Sequence, residues 1–286
     1  MPKVALVTGA ASGIGLALTE GLLARGYDIA MLDIDESRLI DECERLQAAI
    51  KLQGTQRLTP HHCDVADSAS IDQAVTNVIA EHGHLDVLIN NAGVAVGGAF
   101  GQMSEADFNW LININLLGLV HMTRVCLPHL LTRPSGNIVN ISSLFGIIAP
   151  PGQTAYSASK FAVRGFSKAL QHELVETDIT VSIVYPGGVR TRIAKQSRKA
   201  EGLDAAEYQQ GIKEFNRALV LAPEKAAQII LDGMQRGRAE ILVGTDAKII
   251  RWLARLFPRH YWPMVEKLMP SGQSLDRIRA FYNKNR

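Results

Sequence analysis

Short apolar runs that end in Gly, Asn, Ser or Asp alternate along this chain with longer stretches whose apolar residues recur at helical spacing. Continuous apolar runs suit strands buried on both faces, and the stretches between them suit crossover helices. The pattern therefore predicts a doubly wound α/β fold, a parallel sheet with helices on both sides. Strands are predicted at Val4 to Thr8, Ile29 to Asp33, Val87 to Asn90, Ile138 to Ser142, Val181 to Tyr185 and Ile241 to Val243, with one more ending just before Asp64. Helices are predicted over 14–26, 36–53, 68–82, 105–131, 155–176 and 223–236. The last opens with Pro223, where a missing amide costs nothing. No repeat, low-complexity tract or Gly/Ser linker divides the chain, so one domain over residues 1–244 is expected.

Two segments break the alternation. Residues 188–222 are long, charged and partly helical in pattern, as an active-site lid is, or a surface insertion. Residues 245–286 run past the last strand and are strongly basic, about +6 against about −4 for the rest of the chain. Within them 249–264 is amphipathic, with Trp252, Tyr261 and Trp262 among Arg251, Arg255 and Arg259. Contact with the surface of an anionic membrane is one reading of such a stretch. Docking over the substrate pocket or a neighbouring subunit is the preferred one.

Composition narrows the classes. A hydrophobic share of 47% over 286 residues supports a sizeable core and excludes a disordered chain. Thirty Lys+Arg against 28 Asp+Glu leave a net charge of +2, which gives no electrostatic reason to expect a nucleic-acid partner. Cys43, Cys63 and Cys126 are scattered and odd in number, so neither a disulfide framework nor a thiolate metal site is indicated, and a reducing, cytoplasmic setting is expected. The amino terminus reaches glycine too soon for a signal-peptide core, and no uninterrupted apolar run approaches the ~18 residues of a membrane span.

The first candidate chemistry is Thr8-Gly9-Ala10-Ala11-Ser12-Gly13-Ile14-Gly15, between the first strand and the first helix. Glycines there let the backbone turn sharply, and a pyrophosphate can approach the amides around Ser12, Gly13 and Ile14 at the helix's positive end. Asp33, about twenty residues on, can accept hydrogen bonds from an adenosine ribose, and a 2′-phosphate would meet like charge. Ser12 and Ile34 supply no cation to reverse that, so NAD is expected over NADP; Asp35 or Ser37 is the better cap for the next helix. Asp64-Val65 and Asn90-Asn91-Ala92-Gly93 end later strands. Asp64 and Asn90 are candidate cofactor neighbours, Asn91 either touches the cofactor or braces the loop, and Gly93 permits close approach.

The second is Ser143, at the end of a strand, followed thirteen residues later by Tyr156-Ser157-Ala158-Ser159-Lys160. Tyrosine and lysine four apart share one helix face. A phenol with pKa ~10 is a poor base near neutrality unless a cation favours its phenolate, and the lysine supplies one. Beside a nicotinamide, the tyrosine would exchange a proton with the substrate oxygen that Ser143 holds.

With these motifs in order across about 240 residues, the chain resembles the short-chain dehydrogenase/reductase family. The match includes TGAASGIG, NNAG, the spacing from Ser143 to YSASK, and Pro186-Gly187-Gly188-Val189-Arg190-Thr191. The resemblance implies a Rossmann-type sheet of seven strands, and Ser143, Tyr156 and Lys160 as catalytic residues with Lys160 also on the nicotinamide ribose. It implies Asn115 as the fourth member, holding a relay water with the lysine. It places the Pro186-Gly187 turn and Val189 behind the nicotinamide and Thr191 on its carboxamide. It further implies a homodimer or homotetramer through helices 105–131 and 155–176; in the latter, Ala155, Ala158, Ala162 and Gly165 are small enough for close packing.

An NAD-dependent alcohol/carbonyl oxidoreductase is the leading reading, and a non-catalytic dinucleotide sensor or scaffold is the alternative. No metal is called for. Val94, Val96, Leu144 to Ile148, Gln153, Ile193 and Phe215 are the expected pocket, which suits a moderately apolar substrate.

Overall fold

The structure is a computed structural model that describes residues 1–50, 56–268 and 275–284. Its first half alternates β1 (Val4–Thr8), α1 (Gly13–Leu23), β2 (Asp28–Asp33), α2 (Glu36–Ile50), β3 (Leu58–His62), α3 (Ser68–His82) and β4 (Val87–Asn90). Residues 51–53 of the predicted 36–53 helix lie outside the described residues. After β4 come β5 (Val96–Gly97), α4 (Glu105–Ile112), α5 (Leu119–Leu131), β6 (Gly136–Ile141), α6 (Thr154–Glu173), β7 (Ile179–Pro186) and β8 (Arg198–Lys199). The remainder is α7 (Ala205–Ala218), α8 (Pro223–Gln235), β9 (Glu240–Val243), α9 (Thr245–Leu256), α10 (Tyr261–Leu268) and α11 (Leu275–Lys284).

Among the described residues seven strands form one sheet in the order β3-β2-β1-β4-β6-β7-β9, every pair parallel. All five β1 residues are buried, as expected for a central strand covered on both faces. On one side Val7, Ile29, Val139 and Val184 pack under α1 and α8. On the other Leu6, Leu88, Ile138 and Val181 pack under α3, α5 and the end of α6. The chain reverses its winding between β1 and β4, and a cleft opens at the strands' carboxyl ends.

The predicted 105–131 helix is not regular. A wide π turn over Asn113–Gly118 separates α4 from α5. Gly118 lies against the Val65 carbonyl, whose oxygen would sit 2.3 Å from any Cβ at that position, so the helix packs directly on backbone. The run Glu105–Leu131 is long and apolar enough by composition to cross a bilayer. Its Leu111, Leu119, Met122, Cys126 and Leu130 are buried within the fold, which makes it a core helix.

Beyond β9 the chain folds back over the cleft. Ala247 and Ile250 of α9 and Val265 of α10 join Leu144, Phe145 and Ile148 in a separate apolar cluster. On α11 the Tyr282 hydroxyl accepts the Gly101 amide at 3.0 Å, and Arg277 pairs with Glu214 of α7 at 3.2 Å.

Candidate active site

The cleft holds about 640 Å³. Its lining extends from Asp33 and Arg38 beside β2 to Phe215 and Trp262 near the turn after β6.

At the first end the loop after β1 is fixed by hydrogen bonds rather than bulk. Gly9 and Gly13 take φ of +63° and +55°, conformations that side chains rarely tolerate. The Thr8 hydroxyl accepts the amides of Asn91 and Ala92 at 2.9 and 3.0 Å, and the Asn91 side chain donates to the carbonyls of Thr8 and Gly9. Asn91 is therefore a brace for the loop that also lines the cleft. Gly15 does not line it. A Cβ there would lie 2.0 Å from the Gly9 carbonyl oxygen, so its role is to let α1 close on the loop. Ser12 and Ile14 face the cleft at the start of α1, and the Ser12 side chain makes no cap bond.

Asp33 accepts the Ala11 amide at 2.9 Å and the Asp35 amide at 3.1 Å, tying the glycine loop to the end of β2. Asp35, whose carboxylate accepts the Arg38 amide, caps α2 as expected. Arg38 itself lines the cleft near Asp33. It is a cation one helical turn past Ile34, at a position other than Ser12 and Ile34, which supply none. Asp64, Val65, Ala92 and Gly93 line the cleft as expected. Asn90 does not. Its side chain is 3% exposed and donates to the Thr123 hydroxyl and the Asn140 side chain, both at 2.9 Å, because alternate strand residues face opposite sides of the sheet.

At the reacting end Ser143, Tyr156 and Lys160 converge. Ser143 lies just past the end of β6, its hydroxyl accepting the Phe145 amide at 3.1 Å beside the Tyr156 phenol. Tyr156 and Lys160 leave one face of α6, with the lysine Nζ 5.7 Å from the phenol ring centre. That ammonium is buried and donates to the Ile141 carbonyl at 3.0 Å. Burial pulls the Lys160 pKa down to about 8 and pushes Tyr156 up to about 12, an upward push that the Ser143 hydroxyl partly offsets. With the lysine Nζ 5.7 Å from the ring centre, desolvation sets the direction of the phenol's shift. The protonated phenol is an acid in waiting.

Asn115, brought inward by the π turn, is 1% exposed. Its Oδ1 accepts the Val94 amide at 2.8 Å, and its Nδ2 donates to the Val94 carbonyl and the Ser159 hydroxyl. The amide is spent on holding the strand after Gly93, and its side chain does not line the cleft. Gly93 lies between the two polar groups: a Cβ there would be 3.2 Å from Asn115 Oδ1 and 3.4 Å from Lys160 Nζ.

Pro186, Gly187, Val189 and Thr191 line the cleft. Thr191 lies against Gly13, whose absent side chain leaves it room. The Gly188 amide donates to Asp246 of α9 at 2.7 Å, so the C-terminal segment fastens the turn after β7. Val94, Val96, Leu144, Phe145, Ile148, Gln153, Ile193 and Phe215 line the cleft as expected, whereas Gly146 and Ile147 do not. Trp110 and Val265, which sequence reasoning did not single out, also line the cleft, and Tyr208 and Trp262 come from the expected lid and the tail expected over the pocket. Arg198, also in the lining, stacks 3.6 Å from the Trp110 ring centre.

A dinucleotide fits this donor set: left-handed glycines free the loop's amides, Asp33 stands at one end, and a buried lysine with a backbone partner stands at the other. Residues 3–202 match the family model described as short chain dehydrogenase. Among curated relatives, the putative oxidoreductase SadH of Mycobacterium tuberculosis is 39% identical over 266 residues, 92% of this chain and 94% of its own. The 3-oxoacyl-[acyl-carrier-protein] reductase FabG of Thermotoga maritima is 36% identical, covering 80% and 89%. A Burkholderia phymatum short chain dehydrogenase/reductase in complex with NAD superposes with TM-score 0.80 at 27% identity, covering 89% and 93%. A Sphingobium yanoikuyae short-chain dehydrogenase in complex with NADPH gives 0.71 at 28%, covering 85% and 87%.

Proposed function

The chain belongs to the short-chain dehydrogenase family of oxidoreductases, and on that premise we propose that it interconverts a secondary alcohol and its ketone, or a primary alcohol and its aldehyde, with NAD. The observation that carries this is the meeting of Ser143, Tyr156 and Lys160 at the floor of the cleft that the glycine loop opens. A bound nicotinamide supplies the hydride acceptor or donor. The remaining work falls to the chain. Ser143 holds the substrate oxygen, and Tyr156 gives that oxygen its proton during reduction or removes it during oxidation. Lys160 favours the phenolate whenever the proton has left.

The high phenol pKa suits the reductive direction, since the acid form is the one present near neutrality. The Asp33 carboxylate supports NAD, because a 2′-phosphate would approach a like charge. Arg38 at the same end supports NADP as a second reading, and the ratio of kcat/KM for the two cofactors separates them. Phe145, Ile148, Phe215 and Trp262 support a bulky, apolar substrate. Residues 188–222, which carry α7 over the cleft, act as its cover. The exposed Phe161, Ala158 and Gly165 on α6 support a homodimer through that face.

The test is NADH and NADPH oxidation with a panel of apolar ketones. Tyr156→Phe is expected to lower kcat by about 10²–10⁴-fold with little change in cofactor affinity. Turnover that survives the substitution would remove the phenol from the mechanism.

A further inference from the structure

Helices α9 and α10 are apolar on two sides, although docking requires only one. The inner side, Ala247, Ile250 and Val265 with Leu253 and Trp262 beside them, packs onto the turn after β6. The outer side carries Ile249 at 48% exposure, Trp252 at 63%, Leu256 at 62% and Phe257 at 44%, with Met264 at 39% on the next helix. Positions 249, 252 and 256 fall on one ridge of α9. Exposed Lys248, Arg255, Arg259 and Lys267 border it. Of the acids nearby, Asp246 holds the Gly188 amide and Glu240 pairs with Lys168 and Arg251, which leaves Glu266 on α10 beside four exposed cations.

We propose that this outer face is a membrane-docking surface that seats on anionic lipid headgroups. A second copy of the chain is a poor occupant. Two-fold pairing would bring Lys248, Arg255 and Arg259 against their own counterparts, and between residues 247 and 259 there is no carboxylate to meet them. An anionic bilayer supplies what both sets of side chains lack. Phosphate meets the cations, and the boundary of headgroup and acyl chain takes Trp252, Leu256 and Phe257. The charge asymmetry of the chain, basic in this segment and acidic elsewhere, orients the encounter so that the body stays in water. The proposal stands apart from the reaction assigned above.

Flotation of the full chain with vesicles tests it. The chain is expected to float with vesicles of phosphatidylcholine plus phosphatidylglycerol and not with phosphatidylcholine alone. High salt should release it, and tryptophan emission should shift to the blue on binding. Trp252→Glu with Leu256→Glu, both at exposed positions, should abolish flotation and the blue shift at an unchanged melting temperature. Replacing Lys248, Arg255 and Arg259 by Ala together should weaken partitioning by on the order of a hundredfold. No flotation with anionic vesicles, or equal flotation of the variants, overturns the proposal. So does a concentration-dependent dimer that the double Glu variant loses, because the face then belongs to a second copy.

Discussion

The two ends of the cleft are built by opposite means. At the Asp33 end the shape is set by backbone, with left-handed glycines and a mesh of hydrogen bonds from Thr8, Asn91 and Asp33, all within a few residues of strand ends. At the Phe215 end it is set by apolar side chains from four remote stretches, Leu144 to Ile148, α7, α10 and the strand after Gly93. A group whose shape never varies, such as a dinucleotide, can be met by fixed amides. A surface made of side chains can be altered piece by piece while the sheet beneath it stays the same.

The contrast breaks most visibly at Gly15. A methyl group there begins 2.0 Å from the Gly9 carbonyl oxygen and 2.6 Å from the Asn91 amide. Gly15→Ala should fold, melt lower, and lose the NADH fluorescence enhancement altogether in a titration.

Lys160→Met probes the junction of the two ends. Turnover should fall roughly a thousandfold. Stability should move the other way. Burial sets the folded ammonium at about 8 against an ordinary 10.5, so below pH 8 both states are charged and the folded one bears the full desolvation cost, up to about 3 kcal/mol. That cost fades as pH rises from about 8 towards 10.5. Methionine removes it, so the variant should melt at or above the parent at pH 7, with the margin narrowing by pH 10. A lower melting temperature at pH 7 would show that the bond to Ile141 outweighs the burial of charge.

Asp33→Ala should cost NAD about tenfold in kcat/KM and shift the preference towards NADP, since a 2′-phosphate no longer meets the Asp33 carboxylate while Arg38 stays in the lining. Trp262→Ala, at the side-chain end, should change kcat/KM for an apolar ketone only several-fold and leave the NADH dissociation constant unmoved. If the tryptophan variant instead weakened NADH, the two ends would not be separable.

The same division explains what could be read from the sequence. The strands and most helices were legible because a parallel sheet buried on both faces requires continuous apolar runs, and the glycine loop was legible because its conformation admits few residues. Convergence of Ser143 with Tyr156 and Lys160 was legible from strand-end and helix-face spacing. Asn90 misled because a neighbouring residue in a strand faces the opposite side. The π turn at Asn115 left only a polar pair inside an apolar helix as its trace. Asp246 was invisible as a site residue, since its bond to the Gly188 amide spans 58 residues and depends on how α9 folds back; Trp262 was legible only as part of an aromatic tail expected over the pocket.

The amide of Asn90 has a use of its own. It links the Thr123 hydroxyl on α5 to Asn140 on β6, which passes the chain of bonds on to Ser167 on α6. In an otherwise oily layer these bonds, donated by the Asn90 and Asn140 side-chain amides, form only when both helices sit at one rotation and one height. Sliding either helix by a turn would strand an amide in hydrocarbon, at a cost of about 1–3 kcal/mol. The network thus works as a key for assembly, rejecting misaligned versions of the very helix that carries the phenol and the amine.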